Sequence, residues 1–318
     1  MRIEPLTPSF GCVVEGLDIA DVDERSWRQL EEAFHSHGGL LLVRGQERHC
    51  AEPGVVAAFA ERFGALEDNE KYFQMGMEQQ LHPDHREILS VGNALGESSM
   101  MIAVEPEAEL LWHCDDSFRD PQPLGSLFFC VQAPDSGAET WFASGTAAFA
   151  ALPAAQQREL QLWASVHDYN TLNELLREEN PDRPSLSAEA RAANPPVLRP
   201  LVAQHPHGEP ALYVPQCHIA SVVKMPPEGA RGGVGEQGEE GMELLRRLVA
   251  HTTSPEFVYE HHWRPGDCIV WDNRNTLHAP SAFDVNTAAC ERFCLLSRRA
   301  AFSFSTLALC CRTLVKSG

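Results

Sequence analysis

Hydrophobic and polar positions near the N-terminus follow two different periods. GCVVEGLDIAD (residues 11–21) alternates between apolar and polar side chains, as a half-buried strand does. The next stretch, DERSWRQLEEAFHSHGG (23–39), places Trp27, Leu30 and Phe34 at helical spacing and ends on two glycines. The pattern therefore predicts a strand followed by an amphipathic helix.

Two apolar runs follow that helix. LLLVRG (40–45) begins with a continuous apolar run, which predicts a buried strand, and GVVAAFAERF (54–63) predicts a second short helix. The polar residues 67–86 interrupt the apolar pattern and predict a long loop.

The centre of the chain is richer in strand patterns. ILSVGN (88–93), LGSLFFCVQ (124–132) and TWFAS (140–144) are apolar runs between turn residues, and each predicts a strand. A helical pattern then extends from residue 146 to about residue 166. Pro153 interrupts it, because proline cannot donate to the helical hydrogen-bond ladder.

The last third mixes an irregular segment with further strands. The Pro-, Ala- and charge-rich residues 174–200 predict an excursion from the main body, and QHPHGEPALYV (204–214) predicts a hairpin. FVYEHHWRPGDCIVWDNRNTLHAP (257–280) contains two strand-like runs around the turn at 265–267. ERFCLLSRRAAFSF (291–304) predicts one more strand.

Strands thus dominate the centre and the end, whereas helices lie early and between them. This order predicts a mixed α+β fold with a double-stranded β-helix core, which is a jelly-roll or cupin-like arrangement, flanked by helices. The length of 318 residues and the 43% apolar content suit a single domain over residues 1–318. Loop or lid excursions are expected near 67–108 and 167–240.

The acidic composition excludes several classes of partner. The chain has 45 Asp and Glu against 25 Lys and Arg, and its net charge of -20 repels nucleic acid phosphates and anionic lipid surfaces. The start, MRIEPLTPSFG, does not resemble a targeting peptide, and no later run is long enough to span a membrane. The ten cysteines form no CxxC pair, which favours reduced thiols. We therefore predict a cytoplasmic protein without a nucleic acid or membrane partner.

One motif suggests a dinucleotide site without its structural setting. Gly233, Gly235 and Gly238 match the GxGxxG fingerprint, but PPEGARG precedes them in place of an apolar strand. The neighbouring glutamates would also repel a pyrophosphate. A loop is the favoured interpretation, because the fingerprint requires a strand, a turn and a helix.

The stretch LLWHCDDSFRDP (110–121) contains the pattern that carries chemistry. Residues i and i+2 of a strand project from the same face, so His113 and Asp115 can point together while Cys114 faces the other way. Imidazole and carboxylate at this spacing, completed by a distant histidine, form the facial triad of non-haem Fe(II) oxygenases. An isolated HxD pair is more often structural, so the pair alone does not decide between the two roles.

Several longer motifs resemble those of one enzyme family. LLWHCDDSF (110–118), GAETWFASGTAAFAALP (137–153) and the block 257–284 resemble, in this order, motifs of Fe(II)/2-oxoglutarate-dependent dioxygenases of the taurine dioxygenase and phenoxyacetate dioxygenase group. The opening residues 11–46 and the segment ALYV (211–214) are also similar to this family. The resemblance implies a jelly-roll fold and Fe(II), 2-oxoglutarate and O2 as cofactor and cosubstrates. It also implies a homo-oligomer, because relatives commonly form dimers or tetramers.

The resemblance assigns roles to individual residues. His113, Asp115 and His278 match the metal ligands and hence the catalytic centre, and Thr140 matches the residue whose hydroxyl contacts 2-oxoglutarate. The residues 271–274 (Trp-Asp-Asn-Arg) match a framework that leads the strand to His278, and structural roles are favoured for their polar side chains over ligand contact.

A 2-oxoglutarate site also needs a cation for the far carboxylate, and the planar fork of arginine is best suited. Arg292, fourteen positions after His278, is the first choice, although the family usually places this arginine closer to the distal histidine. Arg298 lies on the same strand face and is the reserve candidate for 2-oxoglutarate or substrate.

The implied reaction converts 2-oxoglutarate to succinate and CO2 while a substrate C–H bond is hydroxylated or the substrate is oxidatively cleaved. Asp115 disfavours a halogenase, because a small residue there would leave a metal position for halide. The motifs are nearer to the phenoxyacetate branch, which implies an organic acid. Arg119, Lys71 and Arg298 are candidates to bind its carboxylate, although surface charge is favoured for each. Two alternatives remain: a non-oxidative Zn(II) hydrolase or isomerase on the same barrel, and a catalytically silent relative.

Overall fold

The computed structural model describes most of the chain. The described residues are 1–69, 81–92, 111–179, 184–204, 209–225, 238–281 and 291–297. The helices in these ranges are α1 (Glu24–Ser36), α2 (Pro53–Glu61), α3 (Gly145–Ala151), α4 (Ala154–Leu160), α5 (Tyr169–Glu179), α6 (Ala188–Ala193) and α7 (Glu239–Thr252). Single 3-10 turns lie at Glu47–His49, Gln216–His218 and Pro255–Phe257.

The strands fall into a large sheet and three smaller ones. The strands of the first half are β1 (Arg2–Pro5), β2 (Cys12–Glu15), β3 (Leu40–Val43), β4 (Leu81–His82), β5 (His85–Gly92), β6 (Gly125–Gln132), β7 (Thr140–Ser144) and β8 (Trp163–His167). Those of the second half are β9 (Val197–Pro200), β10 (Val202–Gln204), β11 (Pro210–Leu212), β12 (Ile219–Lys224), β13 (Val258–His261), β14 (Cys268–Asp272), β15 (Thr276–Pro280) and β16 (Glu291–Ser297).

Strand order brings distant segments together. The large sheet has the order β1-β2-β3-β14-β6-β16-β5-β4, and β2 and β3 form its parallel pair. A second sheet has the order β13-β7-β15, a third β12-β8-β9, and β10 pairs with β11. The two strands on either side of the 265–267 turn therefore belong to different sheets.

The central strand β14 shows why its sequence is continuously apolar. Cys268 and Val270 pack into the core beneath α1 and α2, whereas Ile269 and Trp271 pack into the core between the large sheet and β13-β7-β15. Because both faces of the strand are covered, the usual alternation of apolar and polar residues is lost.

Helix α1 covers the outer face of the large sheet. Asp23 caps it by accepting a 2.7 Å hydrogen bond from the Ser26 amide, which satisfies one N–H of the first turn. Leu30 and Phe34 are buried on the face toward β3, and Gly38, with φ of 74°, takes the chain out of the helix. The helix predicted over 23–39 is thereby confirmed.

The β13-β7-β15 sheet lies between two cores. Phe142 on β7 packs toward the large sheet, whereas Ala143 packs into the core formed with α3, α7 and β12. Successive residues of this strand therefore contact different cores. Both faces of the sheet are therefore packed against other parts of the protein. The sheet also forms one wall of the candidate site.

Most predicted elements are confirmed, with one correction. The hairpin is present as β10 and β11, and the predicted strands at 40–45, 124–132 and 140–144 all form. The helix predicted to reach residue 166 is wrong: α4 ends at Leu160, and residues 163–167 form β8 between β9 and β12.

Other predicted features lie partly outside the described residues. The segment 174–200 contains parts of α5, all of α6 and β9, so much of this excursion is ordered secondary structure. The glycine motif precedes α7, and its residues 233–237 lie outside the described chain. Within the described residues, no helix has the length and apolar content needed to cross a membrane.

Candidate active site

The backbone joins the HxD segment directly to the strand of the distal histidine. Strand β14 ends at Asp272, the chain turns through Asn273, and β15 then carries His278. The His113 amide donates to the His278 carbonyl at 2.9 Å, and the His278 amide donates to the His113 carbonyl at 2.8 Å. This isolated antiparallel bridge places the two histidines opposite one another, although 165 residues separate them in the sequence.

Three donor atoms converge beside this bridge. His113, Asp115 and His278 each offer one ligand atom, and these atoms all lie within 4.8 Å of one another. Asp115 Oδ1 is 3.9 Å from His113 Nε2 and 3.6 Å from His278 Nε2. The imidazole centroids are 4.1 Å apart. The three residues therefore present two nitrogens and one oxygen to a single point.

The two imidazoles are oriented for coordination through Nε2. His113 Nδ1 is 2.8 Å from the Leu111 carbonyl, which only accepts, so Nδ1 carries the proton and Nε2 keeps its lone pair. Burial lowers the pKa of His278 well below its usual value, and the neighbouring His113 and His218 lower it further. A neutral imidazole is the form that binds a metal.

A hydrogen-bond network fixes the carboxylate of Asp115. Ser126 Oγ donates to Asp115 Oδ2 at 2.5 Å and accepts from Asn273 Nδ2 at 2.8 Å. Asn273 Oδ1 in turn accepts from Trp271 Nε1 at 3.1 Å and from the Asp115 amide at 3.3 Å. One oxygen of the carboxylate is thus held by the protein, while the other faces the histidines.

The framework role predicted for residues 271–274 agrees with these contacts. Arg274 Nη2 pairs with Asp272 Oδ2 at 2.6 Å, which stabilises the turn between β14 and β15. Asn273 goes beyond the prediction, because it holds both the backbone and the side-chain surroundings of Asp115. Cys114 faces away from the donors, as expected, with its thiol 3.4 Å from the Thr276 carbonyl.

The donor set fits a divalent first-row transition metal. Two imidazoles and one carboxylate on one side of an ion leave positions open on the other side, which is the pattern of non-haem Fe(II) centres. The geometry also suits a metal, because hydrogen-bond partners or burial already orient all three donor atoms toward one point. The same donors would hold Mn(II) or Zn(II) in solution, since affinity alone does not select the metal.

Thr140 and Arg292 lie together on one side of this centre. Thr140 is opposite Pro280 in the β7–β15 ladder, and His278 is two residues from Pro280, so the threonine lies about 7 Å along the sheet from the histidine on the same face. Trp263 Nε1 donates to Thr140 Oγ1 at 2.9 Å, and the Arg292 guanidinium lies 4.7 Å from the Trp263 ring centroid. The Trp263 indole therefore contacts both of the residues that are predicted to bind 2-oxoglutarate.

The arginine is buried and held by the backbone as well. Arg292 is 3% exposed, and its Nη2 donates to the Ala138 carbonyl at 2.6 Å. Ala138 has φ of 58°, a left-handed conformation that is uncommon for a residue other than glycine. Arg292 is thus a buried, oriented guanidinium, and its planar set of N–H donors has the geometry that suits a carboxylate.

A buried polar cluster lies around Ser117, two residues after Asp115. Ser117 Oγ is 3.0 Å from His218 Nδ1 and also 3.0 Å from His167 Nδ1, and all three side chains are buried. The His218 ring packs 5.0 Å from Phe118, which also contacts Tyr169 at 4.8 Å. These aromatic rings form a wall next to the HxD segment.

The expected substrate cations have different outcomes. Arg119 is 3.1 Å from Asp116 Oδ2 and 3.5 Å from Glu67 Oε2, so two carboxylates already engage it. Lys71 and Arg298 lie outside the described residues. The described structure thus gives no support to Arg119 as the residue that binds a substrate carboxylate.

Sequence reasoning missed Ser126 and Trp263. Ser126 is the polar residue in the otherwise apolar run SLFFCV, at an inward position of β6, and this was a usable signal. Trp263 belongs to the WRPGD stretch but contacts Thr140, which precedes it by 123 residues. Only the pairing of β13 with β7 brings them together.

Two imidazoles and a carboxylate that converge on one point, with a buried threonine and arginine nearby, are the side-chain pattern typical of mononuclear non-haem metal oxygenases. The family model described as "Taurine catabolism dioxygenase TauD, TfdA family" matches residues 2–297. The chain therefore belongs to the TauD, TfdA family of dioxygenases.

Individual relatives and a solved structure are similar to this chain over most of its length. Pentalenolactone F synthase from Streptomyces arenae is 30% identical over 293 residues, covering 89% of this chain and 91% of the relative. The alpha-ketoglutarate-dependent 2,4-dichlorophenoxyacetate dioxygenase of Cupriavidus pinatubonensis is 30% identical over 289 residues, covering 89% and 92%. The solved structure of AAD-2 in complex with Mn(II) and N-oxalylglycine has a TM-score of 0.68 and 25% identity, covering 93% of this chain and 96% of that one.

The class of enzyme follows from these comparisons and from the site. The protein is a 2-oxoglutarate-dependent dioxygenase, an oxidoreductase that uses Fe(II), 2-oxoglutarate and O2. Its mixed α and β architecture is that of the TauD-like dioxygenases.

Proposed function

We propose that the enzyme hydroxylates or oxidatively cleaves a small organic acid, with release of succinate and CO2 from 2-oxoglutarate. The observation that carries this proposal is the common orientation of three metal donors with the Thr140 and Arg292 pair beside them. A non-oxidative Zn(II) enzyme would have no need for a buried cation next to its metal site.

The architecture proposed for this activity is a single domain over residues 1–318. In it the large sheet and β13-β7-β15 face one another as a double-stranded β-helix, and the core between them supports this arrangement. Segments near 67–108 and 167–240 would serve as loops or lids. A cytoplasmic location and a dimer or tetramer stay predictions, and light scattering of the purified protein tests the latter.

His113, Asp115 and His278 would hold Fe(II). The bound metal, with 2-oxoglutarate, would supply the redox chemistry that O2 requires, which amino acid side chains cannot provide. The protein supplies three things to this chemistry: fixed donors, a neutral His278, and a carboxylate whose second oxygen is held by Ser126. These features would hold the three donor side chains in one arrangement around a bound metal.

Thr140 and Arg292 would bind the far carboxylate of 2-oxoglutarate. The separation of about 7 Å between Thr140 and His278 along the sheet suits a ligand that is anchored at the metal by one end and at the arginine by the other. A carboxylate there would neutralise the buried guanidinium. The N-oxalylglycine bound by AAD-2 has the carbon skeleton length of 2-oxoglutarate, which supports this assignment. Arg298 is the reserve candidate.

The primary substrate would lie against the aromatic wall. Phe118 offers an apolar surface and His218 a ring nitrogen close to the metal donors. Relatives are named for (S)-phenoxypropionate and 2,4-dichlorophenoxyacetate, which are aryloxy carboxylic acids, and this supports an organic acid. A wall of this kind would also exclude water from the reacting C–H bond.

The test is oxidation of a substrate panel by iron-loaded protein. Purified protein, loaded anaerobically with Fe(II), is mixed with 2-oxoglutarate, O2 and aryloxyacetic or other short carboxylic acids. Succinate and the oxidised acid should form in equal amounts for at least one panel member. Failure to bind 2-oxoglutarate or to form succinate with any acid would count against the proposed function.

Two variants separate the metal from the cosubstrate. His113→Ala should abolish tight Fe(II) binding, since it removes one of three donors. Arg292→Ala should retain Fe(II) binding but lower the affinity for 2-oxoglutarate by about 100-fold. Truncating one partner of a buried ion pair costs several kcal/mol. Isothermal titration measures both affinities. If Arg298→Ala has the large effect and Arg292→Ala none, Arg298 is the residue that binds the cosubstrate.

A further inference from the structure

The indole of Trp263 contacts both residues of the proposed cosubstrate site in different ways. Its Nε1–H donates to Thr140 Oγ1 at 2.9 Å, while its ring lies 4.7 Å from the Arg292 guanidinium. Trp263 is only 8% exposed. A single side chain thus joins a hydroxyl on one sheet to a cation on the other.

The hydrogen bond from Trp263 makes the Thr140 hydroxyl an acceptor and leaves its proton available to another group. An indole N–H can only donate, so the threonine hydroxyl is the acceptor in this pair. The hydroxyl then uses one lone pair for the indole and keeps its single proton for another acceptor. An anionic ligand is such an acceptor, and Thr140 is therefore set to donate to it.

The aromatic ring fixes the plane of Arg292 in turn. A guanidinium over an indole face is attracted by the ring quadrupole, and this contact is stronger when water is excluded. The Nη2 bond to the Ala138 carbonyl at 2.6 Å fixes a second direction. Because the five N–H donors lie in one rigid plane, two such contacts set the directions of all five.

Trp263 is itself held by a buried cluster. The His261 ring packs edge-on against it, with centroids 4.4 Å apart and an interplanar angle of 87°. His261 is fully buried, with Nε2 3.1 Å from Asp267 Oδ2 and Nδ1 3.0 Å from the Tyr259 hydroxyl. The indole therefore has little freedom to rotate.

We propose that Trp263 is a positioning residue that selects a 2-oxo acid with a second carboxylate. It does so by directing the Thr140 hydroxyl and the Arg292 guanidinium toward that carboxylate. This inference rests on the proposed binding of 2-oxoglutarate by Thr140 and Arg292. Trp263 itself contacts no reacting atom.

Ordinary core packing would make a different prediction. A phenylalanine at position 263 keeps an aromatic face beneath Arg292 but removes the N–H that reaches Thr140. If Trp263 only fills space, its replacement should affect every 2-oxo acid equally. If it directs the two donors, only ligands with the second carboxylate should lose affinity.

The experiment compares two ligands that differ in that carboxylate. Trp263→Phe, loaded with Fe(II) under anaerobic conditions, is titrated with 2-oxoglutarate and with 2-oxobutyrate, which has the same 2-oxo acid end but no second carboxylate. The Kd for 2-oxoglutarate should rise 5- to 10-fold and that for 2-oxobutyrate should stay within 2-fold of wild type. Trp263→Tyr removes the same N–H and serves as a second variant if Trp263→Phe does not fold.

A double mutant tests the route through Thr140. Thr140→Val removes the hydroxyl at nearly constant volume, so Trp263→Phe should add less than a 2-fold loss in that background. The matched control is Trp163→Phe, because Trp163 is also buried and lies 5.3 Å beneath the Lys224 ammonium. This control should leave both affinities unchanged.

Three results would overturn the inference. An equal loss of affinity for both ligands, or full additivity with Thr140→Val, would show that Trp263 only fills space. The proposed function would stand in either case. A wild-type enzyme that forms succinate but binds 2-oxobutyrate as tightly as 2-oxoglutarate would refute the selection. A wild-type enzyme that binds neither ligand would refute the proposed function and the inference with it.

Discussion

Around Asp115, the position of each proton follows from its neighbours. Asn273 Oδ1 accepts from the Trp271 indole, so the Asn273 amide nitrogen must point at Ser126. Ser126 then has a single proton, which it donates to Asp115. The carboxylate is thus oriented by a chain of residues, of which only Asp115 would touch the metal.

Removing the last member of this chain should weaken the metal site. Ser126→Ala would remove the hydrogen bond to Asp115 Oδ2, and the Fe(II) Kd should rise about 10- to 100-fold, as is usual for partners of metal ligands. Titration with Mn(II), followed by electron paramagnetic resonance, gives the affinity without oxidation. Ser221→Ala is the control, because Ser221 is a buried serine on β12. An unchanged Mn(II) Kd in Ser126→Ala would show that the hydrogen bond is dispensable.

At this scale the sequence predicted the metal donors but not their supports. His113 and Asp115 share a strand face at a spacing of two residues, and this is visible in the sequence. Ser126 and Asn273 meet only because β6 pairs with β14, and their spacing of 147 residues carries no local signal. Arg292 was identified by its chemistry, although its position differed from the family pattern.

At the scale of elements, two glycines show how closely helices approach strands. Gly241 lies at the start of α7, and an added Cβ would overlap the Val222 carbonyl oxygen on β12. Gly54 lies at the start of α2, where a Cβ would meet the His85 ring at ordinary distances, 3.4 Å from Cε1 and 3.6 Å from Nε2. The same substitution should therefore have opposite effects on the two helices.

The two alanine variants make this contrast measurable. Gly241→Ala should lower the free energy of unfolding by about 1–3 kcal/mol, since backbone must move to accept the methyl group. Gly54→Ala should raise it by about 0.5 kcal/mol, because alanine restricts the unfolded chain and favours helix. Urea unfolding followed by circular dichroism measures both. Equal effects of the two variants would contradict the close approach of α7 to β12.

The strand β8 shows where local pattern fails. Leu160 and Trp163 are three residues apart, a spacing that matches a helix, yet α4 ends at Leu160. Residues 163–167 instead pair with β9, which begins thirty residues later, and with β12, more than fifty residues later. Such pairings stabilise a strand through tertiary contacts, and a local window does not contain them.

At the scale of the whole molecule, buried histidines link stability to pH. Burial lowers the pKa of His167 well below its usual value, and nearby Arg199 and His218 lower it further. Burial also lowers the pKa of His261, although its contact with Asp267 opposes the shift. Both side chains therefore take up a proton at lower pH in the folded chain than in the unfolded chain, where the pKa of histidine is near 6.5.

Stability should therefore fall as the pH falls through 6.5. The unfolded state binds more protons there, and the loss from each such histidine approaches about 1.4 kcal/mol per pH unit below pH 6.5 until the histidine also protonates in the folded state. Urea unfolding of metal-free protein between pH 7.5 and 5.5 measures this slope. Asp18, whose pKa is lowered to about 2, does not titrate in this range.

A pair of glutamine variants identifies the groups responsible. His167→Gln should remove at most about 1.4 kcal/mol of the total change in the free energy of unfolding between pH 7.5 and 5.5, because the unfolded histidine is half protonated on average over this range. The matched control is His262→Gln, at a side chain that is 71% exposed. Identical slopes for wild type and His167→Gln would show that His167 does not contribute.

The family and the main sheets were predictable at this scale because several motifs occur in a fixed order over most of the chain. The positions of the two cores on opposite faces of β14 were not predictable from the sequence, because they depend on which face of β14 packs against each neighbour. Net charge argues against nucleic acids as partners, but it contains no information about the identity of the substrate.

The backbone bridge between His113 and His278 has a consequence for how the enzyme exchanges its metal. Main-chain hydrogen bonds close the ring of 165 residues between these ligands, so the conformational entropy of bringing them together is lost during folding and not during metal uptake. A chelator should therefore strip the protein to a native-like apoprotein. Returning iron would then refill the site in a single bimolecular step, with no refolding phase.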